Sequence, residues 1–253
     1  MIQCHEQDGI LTIQFNRPDK KNAFTGAMYL QLRDALIAGD LDPAVKVILI
    51  CGSGKIFSAG NDIADFLQSS FDETAPPILL LRALAQLKKP LIAAVDGPAV
   101  GIGSTMLFHC DLVYAQKDAQ FIFPFVALGL VPEGAATLLL PRLVGHQIAS
   151  EVLFFGEPLT AEQAYKMGFV NKVISEESSL SYAHERAKAL TALPLGSILE
   201  TKALLKSGRV KAAILDQISI EAQAFMQRLK GPAAKKALTA FMEKRVPKFD
   251  LLD

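Results

Sequence analysis

Two glycine-containing loops carry the residue types most able to do chemistry. Residues 52–62 (GSGKIFSAGND) and 96–104 (DGPAVGIGS) each follow an apolar run typical of a buried strand. Ligand sites of α/β proteins usually form at the carboxyl ends of such strands. Two loops there can direct a pair of backbone N–H groups at one point, the second beside a helix N-terminus that favours negative charge. The pattern therefore indicates an oxyanion hole, with simple tight turns as the alternative, because glycine also serves wherever φ is positive.

Other chemistries of these loops find less support. The second loop lacks the third glycine of a dinucleotide-binding fingerprint and has no P-loop lysine, so nucleotide binding is weakly supported. Ser58 and Ser104 lie in the loops but outside any Gly-x-Ser-x-Gly elbow, which argues against a serine hydrolase. Asp62 is best interpreted as the N-cap of a helix that begins near Ile63. The four histidines, which share no metal-ligand spacing, are His5, His109, His146 and His184.

An α/β framework must position the loops. Residues 2–6 and 10–15 alternate apolar and polar side chains around Asp8-Gly9, which predicts a hairpin. Helix and buried strand patterns then alternate, which predicts an α/β core. The expected elements are a helix over 26–38, a strand over 45–51, a helix over 77–87, a strand over 91–95, a helical segment near 104–108 and a strand over 112–115. After Gly134 the patterns are helical as far as Arg245, so the last third of the chain is predicted to be wholly helical.

Composition narrows the class of protein. The 253 residues are 51% hydrophobic and 21% charged, which is typical of a globular protein with one large domain or one domain and an appendage. The formal net charge is zero, so no overall field favours nucleic acid. Cys4, Cys51 and Cys110 are expected to be reduced core residues. No signal peptide or membrane span is evident, and we expect a cytoplasmic protein that needs no metal or other cofactor.

The order and spacing of several motifs closely resemble the crotonase superfamily. The motifs are Asn16-Arg-Pro18 with Asn22-Ala23, GKIFSAGND, KKPLIAAVDGPAVGIGSTMLFHCDLVYA, AQFIFPFVALGLVPEGAA and LTAEQAYKMGFVNKVI, together spanning about residues 10–175. The resemblance implies a spiral of ββα repeats over residues 1–195 and a helical trimerisation region over 196–253. It also implies a homotrimer or a hexamer, acyl-CoA thioester substrates and a role in fatty-acid β-oxidation.

By this resemblance, the N–H groups of Asn61 and Ile102 hold the thioester oxygen. Such a hole is needed because removing a proton beside a thioester puts negative charge on that oxygen. The implied substrate-binding residues are Ser58, Ala59, Gly60, Asp62, Ile63, Gly101 and Phe125. Residues near 66–80 are expected to set acyl chain length. A basic cluster of Lys244, Arg245 and Lys248 could meet the phosphates of coenzyme A or could simply be a solvated helix end.

The chain departs from the hydratases of the superfamily at two positions. Thr105 and Phe125 stand where hydratases place their catalytic glutamates. Leu130-Val-Pro-Glu133-Gly instead matches the Ser-Pro-Glu-Gly stretch of peroxisomal-type Δ3,Δ2-enoyl-CoA isomerases, whose glutamate is the base. The resemblance thus implies that Glu133 moves a proton from carbon 2 to carbon 4. If it faces an apolar pocket, burial should raise its pKa.

Three alternatives stay open. Pro132-Glu133 would also suit the first turn of a helix through residues 135–143, where an acid favours the helix dipole whatever its function. The chain could be a hydratase, or catalyse another crotonase reaction, using Asp62 or a different carboxylate. It could also be a non-catalytic acyl-CoA binder or an assembly subunit, because one fold hosts many functions.

Overall fold

The computed structural model describes residues 1–68, 72–243 and 245–249. The strands are β1 (Ile2–Gln7), β2 (Ile10–Phe15), β3 (Val47–Gly52), β4 (Leu91–Val95), β5 (Pro98–Val100), β6 (Leu112–Gln116), β7 (Gln120–Ile122), β8 (Leu159–Thr160) and β9 (Lys172–Ile174). The α-helices are α1 (Gly26–Leu41), α2 (Ile63–Gln68), α3 (Pro76–Gln86), α4 (Ile102–Thr105), α5 (Ala136–Val144), α6 (His146–Phe155), α7 (Ala161–Lys166), α8 (Ser179–Thr191), α9 (Leu195–Leu205), α10 (Gly208–Leu229) and α11 (Pro232–Met242).

The main sheet has six strands in the order β1-β2-β3-β4-β6-β9. β1 and β2 form the predicted antiparallel hairpin, whose turn residues Asp8 and Gly9 both have positive φ, at 55° and 78°. The other pairings are parallel. Since Cys51 of β3 lies opposite Ala94 of β4, the two glycine loops leave the same edge of the sheet. The predicted α/β core is confirmed.

A second sheet of three strands, β5-β7-β8, lies against this edge. β5 lies within the second glycine loop, and Ser58 of the first loop forms an isolated bridge with Ala99 of β5. The prediction of a wholly helical last third is wrong, because β9 at residues 172–174 joins the main sheet beside β6. Strands of two or three residues are too short to display an alternating pattern, so hydrophobic periodicity cannot predict them.

Apolar residues pack on both faces of the main sheet. The larger cluster buries Ile13, Ile48 and Leu81 with the inner face of α1 and α3, and a smaller cluster packs Leu49 and Ile92 against α8. The cysteine prediction needs one correction. Cys51 is buried and Cys110 is partly buried, whereas Cys4 is exposed because β1 is an edge strand with one open face.

The long helix α10 buries its apolar face within the same chain. Ile218 and Phe225 are almost inaccessible and belong to the larger core cluster. The helix contacts α3, α5 and α11. This contact matters for the site because it brings Glu221, a buried carboxylate of α10, to the start of α5. Within the described ranges, we find no helix that is both long and apolar enough to cross a membrane.

Candidate active site

Glu133 lies in a tight turn immediately before α5. Gly134 and Ala135 both adopt left-handed conformations, with φ of 75° and 59°, and the helix begins only at Ala136. Interpreting Glu133 as part of the first helical turn is therefore wrong. The left-handed residues break the helical geometry between Glu133 and α5. The turn directs the Glu133 side chain into the protein, where only 7% of the residue is exposed.

The two oxygens of Glu133 have different surroundings. Oε1 accepts a hydrogen bond from Thr105 Oγ1 at 2.5 Å. Oε2 is buried and has no hydrogen-bond partner among the residues that the structure describes. Burial raises the pKa of Glu133 to about 8, against the hydrogen bond from Thr105, and the charge of Glu221 raises the pKa further. A buried carboxylate with one oxygen free is a suitable proton acceptor.

The two glycine loops pack directly against each other. Phe57 and Ser58 donate their N–H groups to Pro98 O, and Val100 donates to Ser58 O at 2.9 Å. Gly60 has a φ of 82°, and a Cβ there would stand 2.6 Å from Val100 O. Glycine is thus required at this position by both conformation and space. The close approach joins the loops into one rim, as the oxyanion-hole prediction requires.

Backbone N–H groups on this rim remain available, among them those of Asn61 and Ile102. Three nearby amides are engaged, since Gly60 donates to Ser58 Oγ, Asp62 to Phe24 O and Gly101 to Ile122 O. Within residues 1–68, 72–243 and 245–249, no acceptor is found for the N–H groups of Asn61 and Ile102. Ile102 is the first residue of α4, where a helix leaves its N–H groups unpaired.

The rim and Glu133 are linked on both sides. Thr105, which bonds Glu133, ends the same short helix that Ile102 begins. On the other side, Tyr29 Oη donates to Asn61 Oδ1 at 2.6 Å. Burial raises the pKa of Tyr29, and the charge of Glu133 raises that pKa further. The turn, the rim and Tyr29 therefore belong to one site.

Comparison with known proteins identifies the family. The sequence model of the enoyl-CoA hydratase/isomerase family matches residues 5–251. The chain belongs to this family. A 2,3-dehydroadipyl-CoA hydratase of Escherichia coli K12 is 33% identical, over 96% of this chain and 96% of the hydratase. A peroxisomal enoyl-CoA delta isomerase 3 of Mus musculus is also 33% identical, over 95% of this chain and 78% of the isomerase.

A solved structure shares the fold of this family member. The enoyl-CoA hydratase/isomerase of Pseudoalteromonas atlantica T6c superposes with a TM-score of 0.93 at 35% identity, covering 98% of this chain and 99% of the other. The crotonase-type α/β fold is thereby confirmed, as is the likeness to peroxisomal isomerases among other members. Because a hydratase and an isomerase are equally similar, identity alone does not select a reaction.

The remaining predicted site residues divide into structural and rim positions. Ser58 is fully buried, and its hydroxyl donates to Asn22 O at 2.9 Å, so it braces the first loop. Asp62 Oδ1 accepts the N–H groups of Ala64 and Asp65, which confirms its interpretation as a helix cap, and Oδ2 accepts from Arg17 at 2.7 Å. Although burial opposes it, the hydrogen bonds hold the pKa of Asp62 below its usual value.

The two positions that distinguish this chain from hydratases are both buried. Thr105 is inaccessible, and Phe125, which is 5% exposed, belongs to the main core cluster. Ala59, Ile63 and Gly101 are partly exposed on the rim. The predicted chain-length segment and basic cluster fall partly outside the described residues, which omit 69–71 and Lys244.

Sequence reasoning missed two residues around the site, Tyr29 and Glu221. From the sequence, Tyr29 looks like one more apolar position of α1 and Glu221 like an ordinary polar position of α10. Their roles depend on hydrogen-bond partners that are distant in the sequence. His109 is buried with Nε2 bonded to Gly134 O at 2.9 Å, and burial lowers its pKa to about 4. It is a packed histidine, as its lack of ligand spacing suggested. In the described part of the chain, no three His, Cys, Asp or Glu residues group as a metal site would require.

Proposed function

We propose that this family member is a Δ3,Δ2-enoyl-CoA isomerase with Glu133 as its single acid–base group. The observation that carries the proposal is the buried, unpartnered Oε2 of Glu133, whose Oε1 is bonded to Thr105 on the short helix that Ile102 begins. The N–H groups of Asn61 and Ile102 on the adjoining rim have no acceptor among the described residues. A double-bond shift needs one base, which also returns the proton, and a stabiliser for one oxyanion. These groups meet both needs.

The proposed reaction has two steps. Glu133 Oε2 removes a proton from carbon 2 of the 3-enoyl thioester, and the electron pair moves onto the thioester oxygen to form a dienolate. The N–H groups of Asn61 and Ile102 stabilise that oxyanion. The protonated Glu133 then donates its proton to carbon 4 while the double bond forms between carbons 2 and 3, which regenerates the carboxylate. Thr105 holds Oε1 throughout, which leaves Oε2 as the reacting atom.

Hydration is the rival reaction within the family, and one of the relatives above is a hydratase. Water addition is best served by a second carboxylate that orients the water. Thr105 and Phe125 supply no such group, and Asp62 is engaged by Arg17 and by the N-terminus of α2. These engagements favour isomerisation over hydration.

The test replaces the base without changing its shape. We expect Glu133→Gln to lower the rate of 3-enoyl-CoA isomerisation by about a thousandfold or more, because the carboxamide cannot accept the proton. Affinity for a saturated acyl-CoA, measured by calorimetry, should stay within about twofold. Glu200→Gln, an exposed glutamate of α9, is the matched control.

Three results would contradict the proposal. A near-native isomerisation rate in Glu133→Gln would exclude Glu133 as the catalytic base. Conversion of 2-enoyl-CoA to the 3-hydroxy product by the native protein, without isomerisation of 3-enoyl-CoA, would instead favour a hydratase. Tight acyl-CoA binding with no turnover of either substrate would favour a binding protein.

We also propose that the protein assembles as a homotrimer or a dimer of trimers. What supports this is the apolar surface of α6, where Phe154 and Phe155 are 64% and 68% exposed. Sedimentation equilibrium tests the proposal, and a monomer at micromolar concentration would contradict it.

A further inference from the structure

We propose that Glu221 is a positioning residue that holds Glu133 in its reactive orientation by binding the turn between Glu133 and α5. This proposal rests on the proposed role of Glu133 as base. The two carboxylates lie 88 positions apart in the sequence (221 − 133), yet both are buried at the same turn. Glu221 lies on α10 and touches no reacting atom in the proposed mechanism, so its effect would pass through the backbone and through its charge.

Hydrogen bonds from the turn converge on the Glu221 carboxylate. Ala135 N–H donates to Oε2 at 2.6 Å, while Thr137 donates its N–H to Oε1 at 2.9 Å and its hydroxyl to the same oxygen at 2.5 Å. α5 has no N-cap side chain of its own, since its N-cap residue is Ala135. Glu221 therefore supplies from α10 the cap that the local sequence lacks.

The geometry makes this cap matter for Glu133. Ala135 is held at a φ of 59°, a left-handed conformation that costs free energy for a residue with a Cβ. Glu221 binds the N–H of that residue, and Glu133 is only two positions before it. Losing the contact would free Ala135 to relax and would reorient the Glu133 side chain. Displacing a reacting group by about 1 Å can cost about a hundredfold in rate.

The negative charge of Glu221 has a second effect, on the pKa of Glu133. Burial raises the pKa of Glu221 to about 7, against its hydrogen bonds, so the group ionises at and above neutral pH. The Glu221 anion then helps keep the proton on Glu133. Other titratable groups around the turn are His109, bonded to Gly134 O, and Tyr29 of α1, whose pKa the charge of Glu133 raises. Arg82 of α3 is bonded to Ser219 of α10.

The experiment compares Glu221→Gln with Asp216→Asn, an exposed acid on the same helix. Glutamine keeps the size of the side chain but has one oxygen, so it can accept at only one of the two sites and carries no charge. At about pH 9, where Glu133 is ionised, we expect kcat for 3-enoyl-CoA to fall about tenfold or more in Glu221→Gln, with KM within about twofold. Asp216→Asn should match the native protein.

A second measurement needs no substrate. Protonated Glu133 has a carboxylic-acid infrared band, which is identified because it is absent from Glu133→Gln. Its loss with rising pH can be followed in the native protein and in each variant. We expect the band of Glu221→Gln to disappear at lower pH than in the native protein, because the nearby charge is gone. Thr137→Val keeps the Glu221 charge and removes one donor, so it should lower kcat in the same direction by a smaller factor. This milder variant serves if Glu221→Gln folds poorly.

The outcomes separate the two proposals. Native kcat together with an unshifted infrared titration in Glu221→Gln would overturn the positioning role. Equal losses in Glu221→Gln and Asp216→Asn would also overturn it, because the effect would then be general to α10. If Glu133→Gln keeps its isomerase activity, the proposed function fails, and the infrared titration still decides whether Glu221 acts on Glu133.

Discussion

Glu133 and Glu221 are two buried carboxylates at one turn, and the protein treats them in opposite ways. Glu221 receives the N–H groups of Ala135 and Thr137 and the Thr137 hydroxyl. Glu133 receives a single hydrogen bond, from Thr105, and its other oxygen has no described partner. Burial raises the pKa of both groups, to about 7 for Glu221, where several hydrogen bonds oppose the effect, and to about 8 for Glu133, where one does.

The difference in hydrogen bonding distinguishes Glu221, a structural acid, from Glu133, a candidate reactive acid. A carboxylate whose oxygens accept backbone N–H groups stabilises the turn that it binds, and those hydrogen bonds favour its charged form. A buried carboxylate with a free oxygen costs stability, and such a cost is common at sites where a group must react. Measurements that remove each acid should therefore give effects of opposite sign.

The largest expected effect on stability comes from Glu133→Gln in alkaline solution. Folded Glu133 keeps its proton up to about pH 8, whereas the unfolded chain releases it near the ordinary value of 4.5. The native protein therefore loses stability as pH rises through this window, and the neutral glutamine does not. At about pH 9 the variant should be more stable by on the order of 4 kcal/mol. Urea unfolding checks this, and Glu200→Gln should show no such gain.

Removing Glu221 should have the opposite sign. Glu221→Leu leaves the buried N–H of Ala135 without an acceptor and uncaps α5, so we expect a loss of about 3 kcal/mol in the free energy of unfolding near pH 7. Urea unfolding beside Asp216→Asn, expected within about 0.5 kcal/mol of the native protein, gives the comparison. A stabilised Glu221→Leu would erase the distinction between the two acids.

The pH dependence of turnover should follow Glu133. Only the ionised form can remove a proton, and the pKa of about 8 leaves most of the free protein protonated at neutral pH. We expect kcat/KM for 3-enoyl-CoA to rise about fiftyfold between about pH 6 and pH 8 and then to level off. A stopped-flow pH series measures this. A profile already level at about pH 6 would mean that Glu133 ionises as an exposed glutamate does.

Sequence reasoning recovered the local parts of this arrangement. The hairpin at Asp8-Gly9 and the two loops depend on short patterns. The role of Glu133 depends on motifs in register and stays a prediction. The bond between Glu221 and Ala135 joins residues 86 positions apart, and no periodicity reports such a contact. The conformation of Ala135 was missed for the same reason, because alanine favours a helix unless tertiary contacts override that preference.

The smallest expected effect tests the hydrogen bond that Thr105 donates to the Glu133 carboxylate. Thr105→Val keeps the shape of an inaccessible side chain but removes the donor to Oε1. Since that bond lowers the pKa of Glu133, its loss should raise the pKa and move the rise in kcat/KM to higher pH. We expect about fivefold less activity near pH 7 and nearly native activity once Glu133 is fully ionised.

Thr201→Val is the matched control, because its hydroxyl bonds only the Ser197 carbonyl on the exposed face of α9. An equal loss at every pH would mean that Thr105 orients Glu133 without tuning its ionisation. A profile shifted to lower pH would contradict the expected rise in the pKa of Glu133. If the rise in kcat/KM moves only to higher pH, Thr105 has for Glu133 the role that the Ala135 and Thr137 donors have for Glu221. Its single hydrogen bond then orients Glu133 and leaves Oε2 free to react.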